Sequence, residues 1–187
     1  MKYRGQLGGW VGASVLVAAA TTATAAPFQN LDFEGVIPPF VPSFANLFPH
    51  WGPVGGVGSI GLNEPSGGWA NSMILYDKDC ALQLPFEGQY GIALFPSPNP
   101  TGNVGDPPIV ESLAQRANLP ADAGLLHFKN WGERVRVFLW EQEISISYSG
   151  DNGVGDISAF AGQDVMLRFQ TLPATTWPQY SALDSIW

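Results

Sequence analysis

The side chains that could carry chemistry are few. His50 and His127 are the only imidazoles in the 187 residues, and Cys80 is the only thiol. A serine hydrolase needs a nucleophile held beside an imidazole base, and no Gly-x-Ser-x-Gly elbow occurs. His127 sits in Leu125-Leu126-His127-Phe128-Lys129, alternating onto the face of Lys129, which reads as an exposed strand position. His50 lies in an aromatic loop, Phe48-Pro49-His50-Trp51. Zinc sites draw three or four ligands mainly from His and Cys, so this chain is poorly supplied for zinc. Cys80 follows Tyr76-Asp77-Lys78-Asp79, and acidic neighbours disfavour a reactive thiolate. It reads as a small packed side chain.

Carboxylates are plentiful, and plenty makes chance pairs common. Glu141 and Glu143 lie two apart near a strand end, on one face, the kind of pair that acts on glycosides. Asp151-Asn152-Gly153-Val154-Gly155-Asp156 is rich in oxygen but lacks the spacing and distal Glu of an EF-hand, so a turn is expected. Gly56-Val57-Gly58-Ser59-Ile60-Gly61 matches the dinucleotide fingerprint in letters only. Pro53 precedes it and Asn63-Glu64-Pro65-Ser66-Gly67-Gly68 follows, where the fingerprint demands a helix. None of this amounts to catalytic machinery, and the expectation is a protein that is not an enzyme.

Aromatics are the remaining resource. Trp51, Trp69 and Trp177 have turn-rich flanks, and the expectation is that at least one stands exposed on a loop as a ligand-binding platform. Arg134, Arg136, Phe138 and Trp140 alternate onto one face, opposite Val135, Val137 and Leu139. Flat sugar rings are gripped by such surfaces, through stacking plus hydrogen bonds. The same side chains would serve equally as cover for a second sheet.

The elements that must position these residues are strands. Apolar positions recur with period two at Leu82-Leu84-Phe86, Tyr90-Ile92-Leu94, Val135-Val137-Leu139, Ile144-Ile146-Tyr148 and Val165-Leu167-Phe169. No window holds a helical period for three turns. Short alternating runs separated by turns such as Asp151-Asn152-Gly153 and Ala161-Gly162-Gln163 predict an all-β antiparallel jelly-roll β-sandwich. Residues 36–68 and the proline-rich 95–108 read as loops.

The first 26 residues read as a cleavable secretion signal. Lys2 and Arg4 open it, Gly8 to Ala20 carry no charge, and Ala23-Thr24-Ala25 supplies small residues for cleavage. The apolar run is short for a membrane span, which takes about 20 residues. Residues 27–187 would form one domain, secreted or held at the cell surface, without membrane insertion. That part has six basic residues against sixteen acidic ones, a charge of about −10. Such a surface repels phosphate backbones, so nucleic acid is an unsuitable partner.

Three ordered segments resemble a known family. Asn30-Leu31-Asp32-Phe33-Glu34-Gly35 is similar to the opening strand of galactose-binding-like jelly rolls, which include many carbohydrate-binding modules. Pro85-Phe86-Glu87-Gly88-Gln89-Tyr90-Gly91-Ile92-Ala93-Leu94 looks like their P-x-E-G-x-Y strand. Asp156 to Phe169, followed by Leu183-Asp184-Ser185-Ile186, is similar to their closing segments. The wording resembles most closely that of exported bacterial proteins with a PEP-CTERM sorting tail. That tail does not follow Trp187 in this sequence, which leads to the expectation of a chain cut short at its last strand. The resemblance implies a non-catalytic extracellular module for glycan or exopolysaccharide. The alternative is a structural surface or biofilm-matrix protein. It also implies one structural Ca2+ between the chain ends, with Glu34 and Asp184 as ligands and Asp32 as a third; Ser185 replaces the second acid of the closing pair. Asp151 and Asp156 would be next in line.

Overall fold

The computed structural model describes residues 26–29, 31–35, 43–54, 59–63, 72–78, 86–98, 107–175 and 179–187. Twelve strands appear among them: β1 Gly52–Pro53, β2 Ser59–Leu62, β3 Ser72–Asp77, β4 Tyr90–Phe95, β5 Ser112–Asn118 and β6 Leu125–Gly132. They continue as β7 Val135–Leu139, β8 Gln142–Ile144, β9 Ile146–Ser149, β10 Asn152–Asp156, β11 Asp164–Thr171 and β12 Ser181–Asp184. Helix among the described residues is one turn at Phe44–Leu47 and a 3-10 turn at Ser158–Phe160.

The strands form two sheets packed face to face. One runs β1-β5-β11-β7-β8; the other runs β2-β3-β4-β12-β6-β10-β9. All pairings are antiparallel except β2 with β3. The all-β sandwich expected from the alternation is therefore present. The stretch expected as a loop from 36 to 68 is partly structured, because β1 and β2 occupy sheet edges where short Gly- and Pro-bearing strands are tolerated.

Side-chain alternation builds the core directly. Val165, Leu167 and Phe169 of β11 face inward with Val137 and Leu139 of β7, against Ile92 and Leu94 of β4, Phe128 of β6 and Leu183 of β12. The opposite positions of β3, β4 and β12, namely Ile74, Tyr76, Ala93, Phe95 and Ala182, form a smaller buried cluster with Phe86, Trp131 and Tyr180 against it. The seven-stranded sheet is thus apolar on both faces along these strands. The outer face of the five-stranded sheet is mixed, with arginines laid over the buried Phe138.

Two turns are set by backbone chemistry. Ser149 pairs with Asn152, so the β9–β10 loop is Gly150-Asp151, with Gly150 at φ +59. Leu139 pairs with Gln142, so Trp140-Glu141 form the β7–β8 loop, with Trp140 at φ +53. The first is a position glycine fills readily. The second is a left-handed conformation on a bulky residue, which costs about 1–2 kcal/mol.

Candidate functional site

Glu34 and Asp184 meet the same short segment. Glu34 Oε1 accepts hydrogen bonds from the backbone N–H of Gln89 (2.6 Å) and Tyr90 (2.9 Å). Asp184 Oδ2 accepts from the N–H of Glu87 (2.7 Å), and its Oδ1 from the N–H of Ser185 (2.7 Å). The turn before β4 is therefore clasped from both chain ends. Gly88 makes this possible, because a Cβ there would lie 2.0 Å from Glu34 Oε1. Gly91 is constrained likewise by the Phe86 ring, 2.2 Å from a Cβ. Glycine at position 88 thus has a physical reason.

Burial pushes the Asp184 carboxyl up to about 6, aided by the negative charges of Glu87 and Glu34 and opposed by its two amide donors. Glu87 is held below the ordinary carboxylate range by a hydrogen bond from Ser185 and by Lys129, whose Nζ lies 3.2 Å from its Oε1. Asp32 does not share a strand face with Glu34. Residues 31–35 are a run of turns with Phe33 at φ +59, and the exposed Asp32 turns its Oδ1 to the N–H of Glu34 at 3.3 Å. Among the described residues no three His, Cys, Asp or Glu side chains gather at metal-binding spacing. The clasp is built of hydrogen bonds. Gly88→Ala should expel the Glu34 carboxylate and strip two amides, costing roughly 1–2 kcal/mol in urea unfolding. An unchanged midpoint would mean the clasp contributes nothing.

The tryptophans expected on loops divide. Trp51 is 5% exposed, inside the sandwich between Phe33 (centroids 5.7 Å) and Phe169 (6.3 Å), so it is a core residue rather than a platform. Its turn-rich flanks fold the ring inward. Trp69 and Trp177 lie outside the described residues, as does Cys80.

An aromatic and charged surface forms instead on the outer face of the five-stranded sheet. β11 pairs Arg168 with Ala114 of β5 on one side and with Phe138 of β7 on the other, and Phe138 pairs with Glu143 of β8. The guanidinium groups of Arg168 and Arg136 lie over the Phe138 ring at 4.4 and 4.9 Å. Arg116 lies over Trp140 at 5.4 Å. Each arginine has a carboxylate partner: Asp164 for Arg116 at 2.7 Å, Glu143 for Arg136, and Glu141 for Arg168 at 3.3 Å. The fork of Arg116 grips Asp164 through Nε and Nη2, and that of Arg136 grips Glu143 the same way. Those hydrogen bonds raise both guanidinium groups and lower Glu143.

Trp140 stands at the edge of this surface, 39% exposed, with its Nε1–H donating to the Asp164 carbonyl at 3.2 Å. Glu141 and Glu143 are each paired with an arginine. Arg134 does not join the face: it lies over Tyr148 at 4.2 Å and donates to the Gly150 carbonyl. Sequence alternation finds Arg136, Phe138 and Trp140. Arg116 and Arg168 come from strands far away in sequence, and only the pairing of β5, β11 and β7 unites them.

Other sequence candidates have structural duties. His127 is half-buried on β6 and stacks on Trp187 (5.4 Å, 9°). Asp156 Oδ1 accepts from the Ser158 N–H and hydroxyl, which holds it below its ordinary value and ties it to the first residue of the 3-10 turn. Ser59-Ile60-Gly61 runs as strand β2 rather than opening a helix. No protein-family model matches the chain, and no curated protein matches it.

Proposed function

We propose that this chain is an exported, non-catalytic module that binds glycan, an extracellular polysaccharide, on the outer face of its five-stranded sheet. The observation that carries the reading is Trp140. A bulky side chain at φ +53 stores strain where glycine would store none, and strain is kept at sites that use it. The indole is partly open to solvent at the rim of three arginine–carboxylate pairs. The Arg116–Asp164 and Arg136–Glu143 pairs are exposed, and such pairs add little to stability, about 0–1 kcal/mol each. Their use here is as rigid donors and acceptors set around an aromatic ring, which is what a sugar's hydroxyls and flat face require. The face is balanced in charge, three arginines to three carboxylates, and so suits a neutral glycan.

The segments similar to galactose-binding-like jelly rolls of PEP-CTERM-type proteins, and the signal-like first 26 residues, support an extracellular setting. Calcium belongs to the same proposal as a reinforcement of the Glu34–Asp184 clasp: the charges of Glu87 and Glu34 act on Asp184, and the Lys129 ammonium pairs with Glu87. Hard oxygen ligands with surplus negative charge suit that ion. Thermal melting with calcium and with chelator, on wild type, Glu34→Gln and Asp184→Asn, tests it. A calcium-dependent rise that both substitutions weaken supports the reinforcement; no calcium effect in any of them removes it.

A panel of neutral polysaccharides immobilised on an array tests binding. Trp140→Gly should abolish binding, or weaken it at least tenfold, while stability stays level or rises by up to about 1 kcal/mol as the turn strain is relieved. Uniform silence of the wild type across the panel would favour the structural matrix reading instead.

A further inference from the structure

The sandwich is not filled at one end. Between the sheets, beyond the ends of β5 and β12, lies a partly enclosed cavity of about 390 Å³. Leu119, Leu126, Leu139, Ile157, Leu167 and Ile186 make its inner wall, with both sheets contributing, and each of these side chains is buried. At the mouth stand Phe28 and Leu31 from the start of the domain, and Leu125 and Trp187, which are 54% and 56% exposed. An empty apolar void forfeits packing contacts and lowers stability in proportion to its volume. Its size falls in the range of small-molecule pockets.

We infer that this cavity binds a small aliphatic amphiphile, one alkyl chain whose polar end is uncharged or cationic. Three features choose that occupant. The volume holds about a dozen water-sized groups, which fits an alkyl chain of roughly that many carbons and excludes a helix about 10 Å wide. Among the described residues, the backbone groups at the mouth that follow are already paired and offer no ladder to a peptide strand. The Leu119 N–H is bonded to the Gln163 carbonyl, Ile157 to Gly124, Ile186 to Leu31, and His127 and Trp187 to each other. Among the described residues of the lining the only ionisable side chain is Asp122, and none is basic, so nothing there receives a carboxylate head. Asn118 supplies an amide at the same rim. The alkyl chain would enter between the sheets and leave its head at Asp122 and Asn118.

The cavity lies on the inner side of the five-stranded sheet, with Leu139 and Leu167, and the Trp140 ring lies on the outer side, so the inference stands whether or not glycan binds there. The test titrates the chain with 1-decanol, decylammonium and decanoate below their aggregation limits, following melting temperature and tryptophan fluorescence. The expected result is saturable one-to-one binding of the first two, with decanoate at least tenfold weaker. Ala123→Trp, at the mouth, should abolish it, and Asp122→Asn should weaken decylammonium while sparing decanol. If Ala123→Trp proves unstable, Gly124→Leu at the same rim serves as the blocking variant. No saturable binding of decanol or decylammonium, equal affinity for decanoate, or binding that a folded mouth variant leaves unchanged would each overturn the inference.

Discussion

Trp51→Ala is expected to lower the unfolding free energy by roughly 3–5 kcal/mol, the range for removing a large buried aromatic. The ring touches Phe33, which belongs to the opening run of turns, and Phe169 on the inner face of β11. Phe169 in turn meets the edge of Phe128 on β6 at 5.1 Å, so one aromatic chain crosses from the first residues of the domain through both sheets. Deleting the indole leaves a void among side chains that cannot collapse independently. Urea unfolding measures it, and Trp51→Phe should recover most of the loss. A cost below about 1 kcal/mol for the alanine variant would show that the aromatic chain is not the joint of the core. Because Trp51 is buried, Trp51→Phe should leave any glycan binding unchanged, which separates it from Trp140.

Glu111→Gln is expected to stabilise the fold at neutral pH by about 3 kcal/mol. Glu111 sits just before β5, almost wholly buried, and its Oε1 finds no hydrogen-bond donor among the described residues. Burial pushes its carboxyl up to about 8. The unfolded chain ionises this group from about pH 4.5 upward, whereas the folded protein keeps the proton until about pH 8. The unfolded state therefore holds fewer protons in that window, and stability falls as pH rises through it, at up to about 1.4 kcal/mol per unit. Asp184 adds the same sign between its ordinary value and about 6. The glutamine variant mimics the protonated acid, so its advantage should be absent near pH 4 and full above pH 8. Denaturant midpoints for both proteins across that range check this. A wild type that gains stability from pH 5 to 8 relative to the variant would refute the assignment of a neutral Glu111.

Much of the sandwich was legible because its strands carry one strong signal. Val165-Leu167-Phe169 and Val135-Val137-Leu139 alternate without interruption, and the pleat sends those side chains to one side. Trp51 is buried against the expectation for a local reason. Pro49, His50 and Gly52 flank it as a loop would, yet His50 at φ +72 reverses the chain and tucks the next side chain inward. The opening segment Asn30 to Gly35 is expected as a strand through its resemblance to an opening strand. Phe33 is instead buried from a left-handed turn.

The two candidate sites were legible in part. Glu34 and Asp184 were paired through a resemblance, and the structure brings both to the turn at Glu87–Tyr90, while Asp32 serves its own turn. On the outer face, Arg136, Phe138 and Trp140 follow from alternation along one strand. Arg116 and Arg168 require knowing that β11 lies between β5 and β7, a pairing that no local pattern encodes. Glu111 was invisible, being one of sixteen acids in a chain that can solvate most of them.

The central claim is that glycan sits on the Trp140 face, and the resonance of the Trp140 indole Nε1–H reports on it directly. In proton–nitrogen correlation spectra of the isotope-labelled chain, titration with a neutral oligosaccharide that binds should shift that signal together with the Nε–H groups of Arg116 and Arg136. The signals of Trp51, inside the core, should stay fixed. An oligosaccharide that binds saturably while the Trp140, Arg116 and Arg136 signals do not move would contradict the account.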